Sequence, residues 1–155
     1  MMRRVDRELG RDEAMGLLAQ AKYGTLCMAA DDEGYPYGVP LNCALIDNML
    51  VFHGATEGLK YAVLGRDARA SFVAVLSAEA VPITFSMKYE SVCARGRVRM
   101  IENDAERLQL LTAFTAKVLD ASEESIDNAA KRGLPPTRMF VMDIDSVTGK
   151  RSPKA

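Results

Sequence analysis

"YGTLCMAADDEGYPYGVPLNCALIDNMLVFHG", residues 23–54, contains three strand-like runs that are separated by turn-forming residues. The loop DDEGYP separates the first two runs, and IDNM separates the next two. Asp47 and Asn48 favour a tight hairpin between the second pair of strands. Pro40 lies inside the second run. Because proline has no N–H for a ladder bond, it predicts an edge, a bulge or a face turned toward another group.

Further strands are predicted at residues 69–76, 89–101 and 138–147, where apolar and β-branched residues recur. Six strands joined mostly by hairpin-like connections, with helices at the periphery, predict a mainly β fold. We expect an antiparallel barrel or sandwich in a single domain that spans residues 1–155.

Four helices are predicted around these strands, at residues 12–22, 57–65, 102–120 and 121–133. Asp12 is the expected N-cap of the first helix, and Met15, Leu18 and Ala19 form its expected inward stripe. Asn103 is the expected N-cap of the third helix, with Glu106 at the N3 position. The apolar face of this third helix comprises Leu110, Leu111, Phe114 and Val118.

Charge, apolar runs and cysteine content together argue against several classes of protein. Lys and Arg number 20 against 21 Asp and Glu, so the basic excess typical of a nucleic-acid binder is missing. No apolar stretch approaches the roughly 18 residues of a membrane span, and the opening MMRRVDRELGRDEAM lacks the apolar core of a secretory signal. Three widely spaced cysteines and one histidine predict no disulfide framework and no metal site, which favours a cytoplasmic location.

The only histidine of the chain stands in VFHGATEGLKYAVLG, residues 51–65, which has the pattern of a strand, a turn and a helix. Free N–H groups at the start of a helix attract phosphate. Gly54 would let the backbone approach such a group, Thr56 would add a hydroxyl, and Lys60 would add a full charge. Alternatively, Thr56 only caps the helix, Lys60 is a solvated side chain, and His53 is hydrogen-bonded scaffolding.

Two other motifs allow more than one interpretation. YPYGVPLN, residues 35–42, would suit a flat aromatic ligand or form a stiff hairpin. YESVCARGRVR, residues 89–99, places Arg95, Arg97 and Arg99 on one face of a strand. That row would face an anion or a partner subunit, or it would face solvent, balanced by acids such as Glu102 and Asp104. No Ser/His/Asp set and no carboxylate pair is apparent, which favours chemistry carried by a cofactor.

Six motifs occur in one order along nearly the whole chain: DREL at 6–9, AKYGTL at 21–26, GYPYGVPLN at 34–42, FHGATEGLK at 52–60, KYESVCARGRV at 88–98 and TGK at 148–150. Together they resemble the flavin-binding split-barrel proteins related to pyridoxamine 5′-phosphate oxidase, and most closely the nitroimidazole-resistance proteins. The resemblance implies a six-stranded antiparallel split β-barrel. It also implies a homodimer with two FMN molecules at the subunit interface.

The same resemblance implies a role for particular residues. Lys60 and Thr56 would hold the FMN phosphate, and His53 and Gly54 would lie beside the ribityl chain or the ring. In the nitroimidazole-resistance branch the equivalent of His53 belongs to the substrate pocket, which makes His53 the expected catalytic residue. The remaining implied contacts are Val39, Pro40, Leu41 and Asn42 under the flavin, Tyr89, Glu90 and Ser91 near the isoalloxazine, from either subunit, and Lys150 closing the site.

The implied activity is that of an FMN-dependent oxidoreductase. Electrons would pass from a reduced nicotinamide or a reduced protein to a small, flat acceptor such as a nitroaromatic; FAD is the alternative flavin. The chain ends SVTGKRSPKA and lacks the Arg-x-His element that grips substrate in true pyridoxamine phosphate oxidases, so that reaction is not expected. The alternative class is a non-catalytic flavin carrier or a haem-binding split barrel, with His53 as one axial ligand.

Overall fold

A computed structural model describes residues 3–119 and 121–153 of the chain. Met1, Met2 and Asp120, which fall within stretches interpreted above, lie outside the described residues, as do Lys154 and Ala155. The strands are β1 (Glu8–Leu9), β2 (Tyr23–Ala30), β3 (Pro36–Asn42), β4 (Ala44–Ile46), β5 (Met49–Ala55), β6 (Arg69–Val81), β7 (Ser86–Met100) and β8 (Thr137–Arg151). The helices are α1 (Arg11–Gln20), α2 (Leu59–Arg66), α3 (Asp104–Val118) and α4 (Glu123–Gly133).

The strands form one curled antiparallel sheet with the order β3-β2-β6-β7-β8-β5-β4, and β1 pairs with the far end of β8. This confirms the mainly β class with peripheral helices. The sheet of the described residues has eight strands where six were expected. The two additional strands are β1 and β4, which are only two and three residues long. Their brevity explains why no sequence period reveals them.

The turn between β4 and β5 has the conformation that its sequence favours. Asp47 and Asn48 have φ angles of 48° and 61°, as a type I′ hairpin requires, and the flanking Ile46 and Met49 are paired. Pro40 lies on β3, an edge strand of the sheet, which is one of the positions that its missing N–H predicted.

Apolar side chains pack on both faces of the sheet. Inside the curl, Phe52 contacts the rings of Phe72 and Phe140, at centroid separations of 5.4 and 5.3 Å. On the other face, the residue before Phe52, Val51, packs with Phe114 of α3. Alternate residues of β5 therefore contribute to two separate clusters. The same alternation places His53 and Gly54, near the end of that strand, on opposite faces of the sheet.

The helices follow the sequence with some corrections. The N-cap of α1 is Gly10 instead of Asp12, and its buried residues are Ala14, Leu17 and Leu18, whereas Ala19 is exposed. Asn103 caps α3 as expected, with its Oδ1 accepting a hydrogen bond from the Glu106 amide at 3.0 Å. Among the helices of the described residues, none combines the length and apolar character that crossing a bilayer requires.

Strands β6 and β7 form a longer hairpin than the sequence predicts. Beyond the pair of Glu90 with Arg151, no third strand of the described residues lies beside them, and they continue as a two-stranded ribbon. A short 3-10 turn at Pro82–Thr84 closes the ribbon, and Ile83 and Phe85 at its tip are exposed. We refer to residues 77–89 as the ribbon.

Candidate functional site

The turn between β5 and α2, residues 54–60, is the first group of predicted site residues that the structure brings together. A Cβ atom at Gly54 would lie 3.0 Å from Lys60 Cε and 3.3 Å from its Nζ, and one at Gly58 would lie 3.3 Å from the same Nζ. Gly58 also has a φ of 142°, which other residues rarely adopt. Both glycines thus leave room for the Lys60 ammonium to fold back over the backbone of the turn.

Thr56 is exposed within this turn and does not cap α2. The helix begins at Leu59, and the cap position is Gly58, with no side-chain cap. The interpretation of Thr56 as a plain helix cap is therefore wrong. Its hydroxyl lies in the same turn as the Lys60 ammonium.

Tyr61 and Arg138 surround Lys60 and were missed by the sequence analysis. Lys60 Nζ lies 4.4 Å from the centroid of the Tyr61 ring, and Arg138 Cζ lies 4.8 Å from the same centroid. Tyr61 Oη donates a hydrogen bond to the Ala55 carbonyl at 2.7 Å, which ties the ring to the turn. Arg138 is cross-strand from Gly54. No sequence pattern could show this pairing, because register between distant strands is not visible in one chain.

The electrostatics of this group suit an anion. Burial, and after it the charge of Arg138, lower the pKa of the Lys60 ammonium. In the part of the chain that the structure describes, neither Lys60 nor Arg138 forms an ion pair with a carboxylate. Glu57 stands in the same turn but is exposed and forms no ion pair with either cation among the described residues. The two unpaired cations therefore favour an anionic group at this turn.

The structure does not bring His53 into this group, although it precedes Gly54. The imidazole lies on the α3 side of the sheet, edge-on to the Phe114 ring at a centroid distance of 4.8 Å. Its Nδ1 is buried and has no hydrogen-bond partner among the described residues, and burial lowers the pKa of the imidazole. Gly54 and Lys60 lie on the opposite face, because successive residues of a strand point to opposite sides.

The four predicted residues of β3 are also divided between two faces. Val39 and Leu41 pack against the interior cluster, whereas Pro40 and Asn42 are exposed. The side-chain amide of Asn42 donates to the Lys22 carbonyl at 3.3 Å. Of this set, Pro40 and Asn42 are accessible to a ligand outside the barrel.

Ser91 and Lys150 form a second group, because they are a cross-strand pair of β7 and β8. They line an open cavity of about 370 Å³ on the outer face of the sheet. The other lining residues include Val73, Cys93, Arg95 and Thr148. We call this the outer cavity.

Tyr89 and Glu90 lie beside the outer cavity in local polar contacts. The Tyr89 hydroxyl accepts a hydrogen bond from Arg7 at 3.1 Å, and Glu90 accepts one from Arg151 at 2.6 Å. Of the arginine row on β7, Arg99 alone forms ion pairs among the described residues, and its partners differ from those expected. Arg99 contacts Glu106 and Asp143 at 3.7 and 3.2 Å, instead of Glu102 and Asp104.

The two groups lie near opposite ends of β8. Arg138, opposite Gly54, and Lys150, opposite Ser91, are separated by about 40 Å of extended strand. Among the described residues, no cluster of His, Cys, Asp and Glu side chains could hold a metal ion. The residues near one end of β8 are suited to an anion, and those of the outer cavity at the other end are suited to a partly polar ligand.

A curled antiparallel sheet with peripheral helices, and with a cationic turn between β5 and α2, defines a protein of the half-barrel β class. The family model described as pyridoxamine 5′-phosphate oxidase matches residues 10–151. The chain therefore belongs to the pyridoxamine 5′-phosphate oxidase family, as the ordered motifs indicated. No protein of curated function matches the sequence.

Solved structures share this fold. One is a protein of Bacteroides thetaiotaomicron provisionally assigned to 5-nitroimidazole antibiotic resistance, with 23% identity, a TM-score of 0.74, and coverage of 92% of this chain and 85% of that one. An FAD-binding protein of Mesorhizobium loti has 23% identity and a TM-score of 0.65, covering 95% and 98%. An FAD- and haem-binding protein of Mycobacterium smegmatis has 22% identity and a TM-score of 0.70, covering 96% and 74%.

Proposed function

We propose that the protein binds FMN and passes electrons through it from a reduced nicotinamide or a reduced protein to a small acceptor, with a nitroaromatic as the acceptor class. Family membership and the flavin-binding neighbours support the cofactor class. The observation that carries the proposal is the Lys60 ammonium, which folds over a turn cleared by Gly54 and Gly58 and has no carboxylate partner among the described residues.

The phosphate of FMN fits this turn by charge and by space. A phosphate monoester carries nearly two negative charges at neutral pH. Lys60 would neutralise one of them, and the Thr56 hydroxyl and the amides at the start of α2 would donate hydrogen bonds. FAD has no terminal phosphate monoester, and each of its phosphates carries one charge. We therefore expect FMN to bind more tightly than FAD.

The residues of the chain would bind and orient the cofactor, and the flavin would supply the electron-transfer chemistry. Gly54 would permit close approach of the phosphate, and Pro40 and Asn42, exposed outside the barrel, would present a surface to a ring that lies on the outer face. His53 touches Phe114 on the other face of the sheet, so an effect of His53 on turnover would be transmitted through β5. Within one chain, Lys150 and its cross-strand partner Ser91 lie near the end of β8 that is opposite to Arg138 and the Lys60 turn. We therefore propose that a second copy of the chain supplies Ser91 and Lys150.

The first test is the absorption spectrum of the purified protein after addition of FMN and gel filtration. We expect a yellow protein whose flavin band is bleached by a reductant and restored by a nitroimidazole. Lys60→Ala should weaken FMN binding by about tenfold or more, since a hydrogen bond to a charged group contributes 1.5–3 kcal/mol. Lys117→Ala, which removes an exposed lysine of α3, is the matched control. A colourless protein that FMN does not reconstitute would refute the proposal.

The second candidate is a carrier that binds a flavin or haem without turnover, favoured by the FAD- and haem-binding neighbour. Haem addition would then give an intense Soret band, and no steady consumption of reduced nicotinamide would follow. Because Nδ1 of His53 is buried, Nε2 is the ring nitrogen that would serve as the axial ligand.

A further inference from the structure

Arg138 and Tyr61 stand beside Lys60, and the sequence alone assigned no role to either. Arg138, the second residue of β8, lies directly opposite Gly54, so its side chain starts on the face that Gly54 leaves without a side chain. The ring of Tyr61 lies on that face and packs edge-on against Phe140 in the interior, at a centroid distance of 5.8 Å. The Tyr61 ring is thus fixed in two ways, by its packing against Phe140 and by the hydrogen bond that its hydroxyl donates to the Ala55 carbonyl.

This arrangement brings two positive charges to one aromatic ring. The face of a tyrosine ring carries partial negative charge, so each cation is attracted to it, although the cations repel each other. The charge of Arg138 acts directly on Lys60. Among the described residues, no acid forms an ion pair with Lys60 or with Arg138. A group with two negative charges would relieve this repulsion, whereas a neutral or singly charged group would relieve it less.

We propose that Lys60 and Arg138 form a two-cation clamp that selects a phosphate monoester, and that Tyr61 is the positioning residue that holds both cations. The inference rests on the proposed function, because the phosphate monoester is taken to be that of FMN. The clamp predicts discrimination at the phosphate: FMN should bind more tightly than riboflavin, which lacks the phosphate. Arg138 would contribute a bidentate contact that lysine cannot make.

The experiment measures dissociation constants for FMN and riboflavin by quenching of flavin fluorescence. Arg138→Gln should weaken FMN binding by about tenfold and change riboflavin binding by less than about threefold, because it removes one charged contact to the phosphate. Arg132→Gln, which changes an exposed arginine of α4, is the matched control and should leave both constants unchanged.

Tyr61 is tested with a pair of variants. Tyr61→Phe keeps the ring and loses only the hydroxyl, so it should retain the preference of the wild type for FMN over riboflavin. Tyr61→Leu loses the ring and should reduce that preference by about fivefold. A role of Tyr61 in stability alone would lower the affinities for both flavins together and leave their ratio unchanged.

The outcomes separate this inference from the proposed function. If the wild type prefers FMN but Arg138→Gln and Tyr61→Leu retain that preference, the clamp is refuted and flavin binding stands. If the wild type binds FMN and riboflavin equally well, the clamp is again refuted. If a folded wild type binds neither flavin, the proposed function fails and the clamp fails with it.

Discussion

At the scale of single residues, His53 shows how one position along a strand changes a functional interpretation. The sequence places His53, Gly54 and Lys60 within eight residues, which favours a common site. In the structure Gly54 shares a face with Lys60, and His53 packs against Phe114 on the other. The residues of the site were identifiable from their chemistry, but the face of each one depends on strand phase, which a local motif does not fix.

His53 also predicts a pH dependence of stability. Burial lowers its pKa in the folded state below the value of about 6.5 expected in the unfolded chain. The unfolded state therefore binds more protons than the folded state in this range. Stability should be fully present above pH 6.5 and decline as the pH falls below it.

Urea denaturation of the cofactor-free protein at fixed concentration, between pH 7.5 and 5.5, measures this effect. His53→Phe, which keeps an aromatic contact with Phe114 and removes the titrating group, should flatten the dependence in that window. Because the chain has one histidine, His53→Phe removes all histidine titration from the protein. An equal decline in the variant and the wild type would assign the dependence to other groups.

At the scale of elements, the sequence predicts those parts of the fold that have local causes. The type I′ turn at Asp47 and Asn48, the edge position of Pro40 and the capped start of α3 each follow from one or two residues. The ribbon was missed, because SAEAVPITFSMK has few β-branched residues and contains a proline. Only the pairing of β6 with β7 makes these residues strand, and that pairing is not visible locally.

The cap of α3 gives a prediction at this scale. Asn103→Ala removes the acceptor of the Glu106 amide and should lower the free energy of unfolding by about 1 kcal/mol, as other N-cap replacements do. Asn103→Asp retains an acceptor and should lower the free energy of unfolding by much less. Chemical denaturation of both variants at one protein concentration measures the difference. Equal losses in the two variants would show that the cap hydrogen bond is not responsible.

At the scale of the whole molecule, the outer face of the sheet bears an exposed apolar strip. Val73 and Val75 of β6 are 36% and 62% exposed, and both side chains point outward. An irregularity in register between Val75 and Ser77 shifts the alternation by one residue. Ala78, Ala80 and Met87 of the ribbon therefore continue the same strip. An isolated two-stranded ribbon is marginally stable in water, so a surface that covers it would stabilise it.

This strip gives the proposed homodimer a specific test. It borders the outer cavity with Ser91 and Lys150, the residues that we propose one copy supplies to the cofactor of the other. Val75→Arg places a charge in the centre of the strip. It should convert a species of twice 17.0 kDa into one of 17.0 kDa in sedimentation equilibrium, and weaken FMN binding at the same time.

Leu119→Arg is the matched control, because Leu119 is 54% exposed at the end of α3 and lies outside the strip. The control should remain dimeric and retain FMN. A Val75→Arg protein that stays dimeric would place the interface elsewhere. A monomer that binds FMN as tightly as the wild type would mean that one chain completes the site alone. The positions of Arg138 and Lys150 argue against that result, since within a single chain the cation beside Lys60 and the residue of the outer cavity lie near opposite ends of β8.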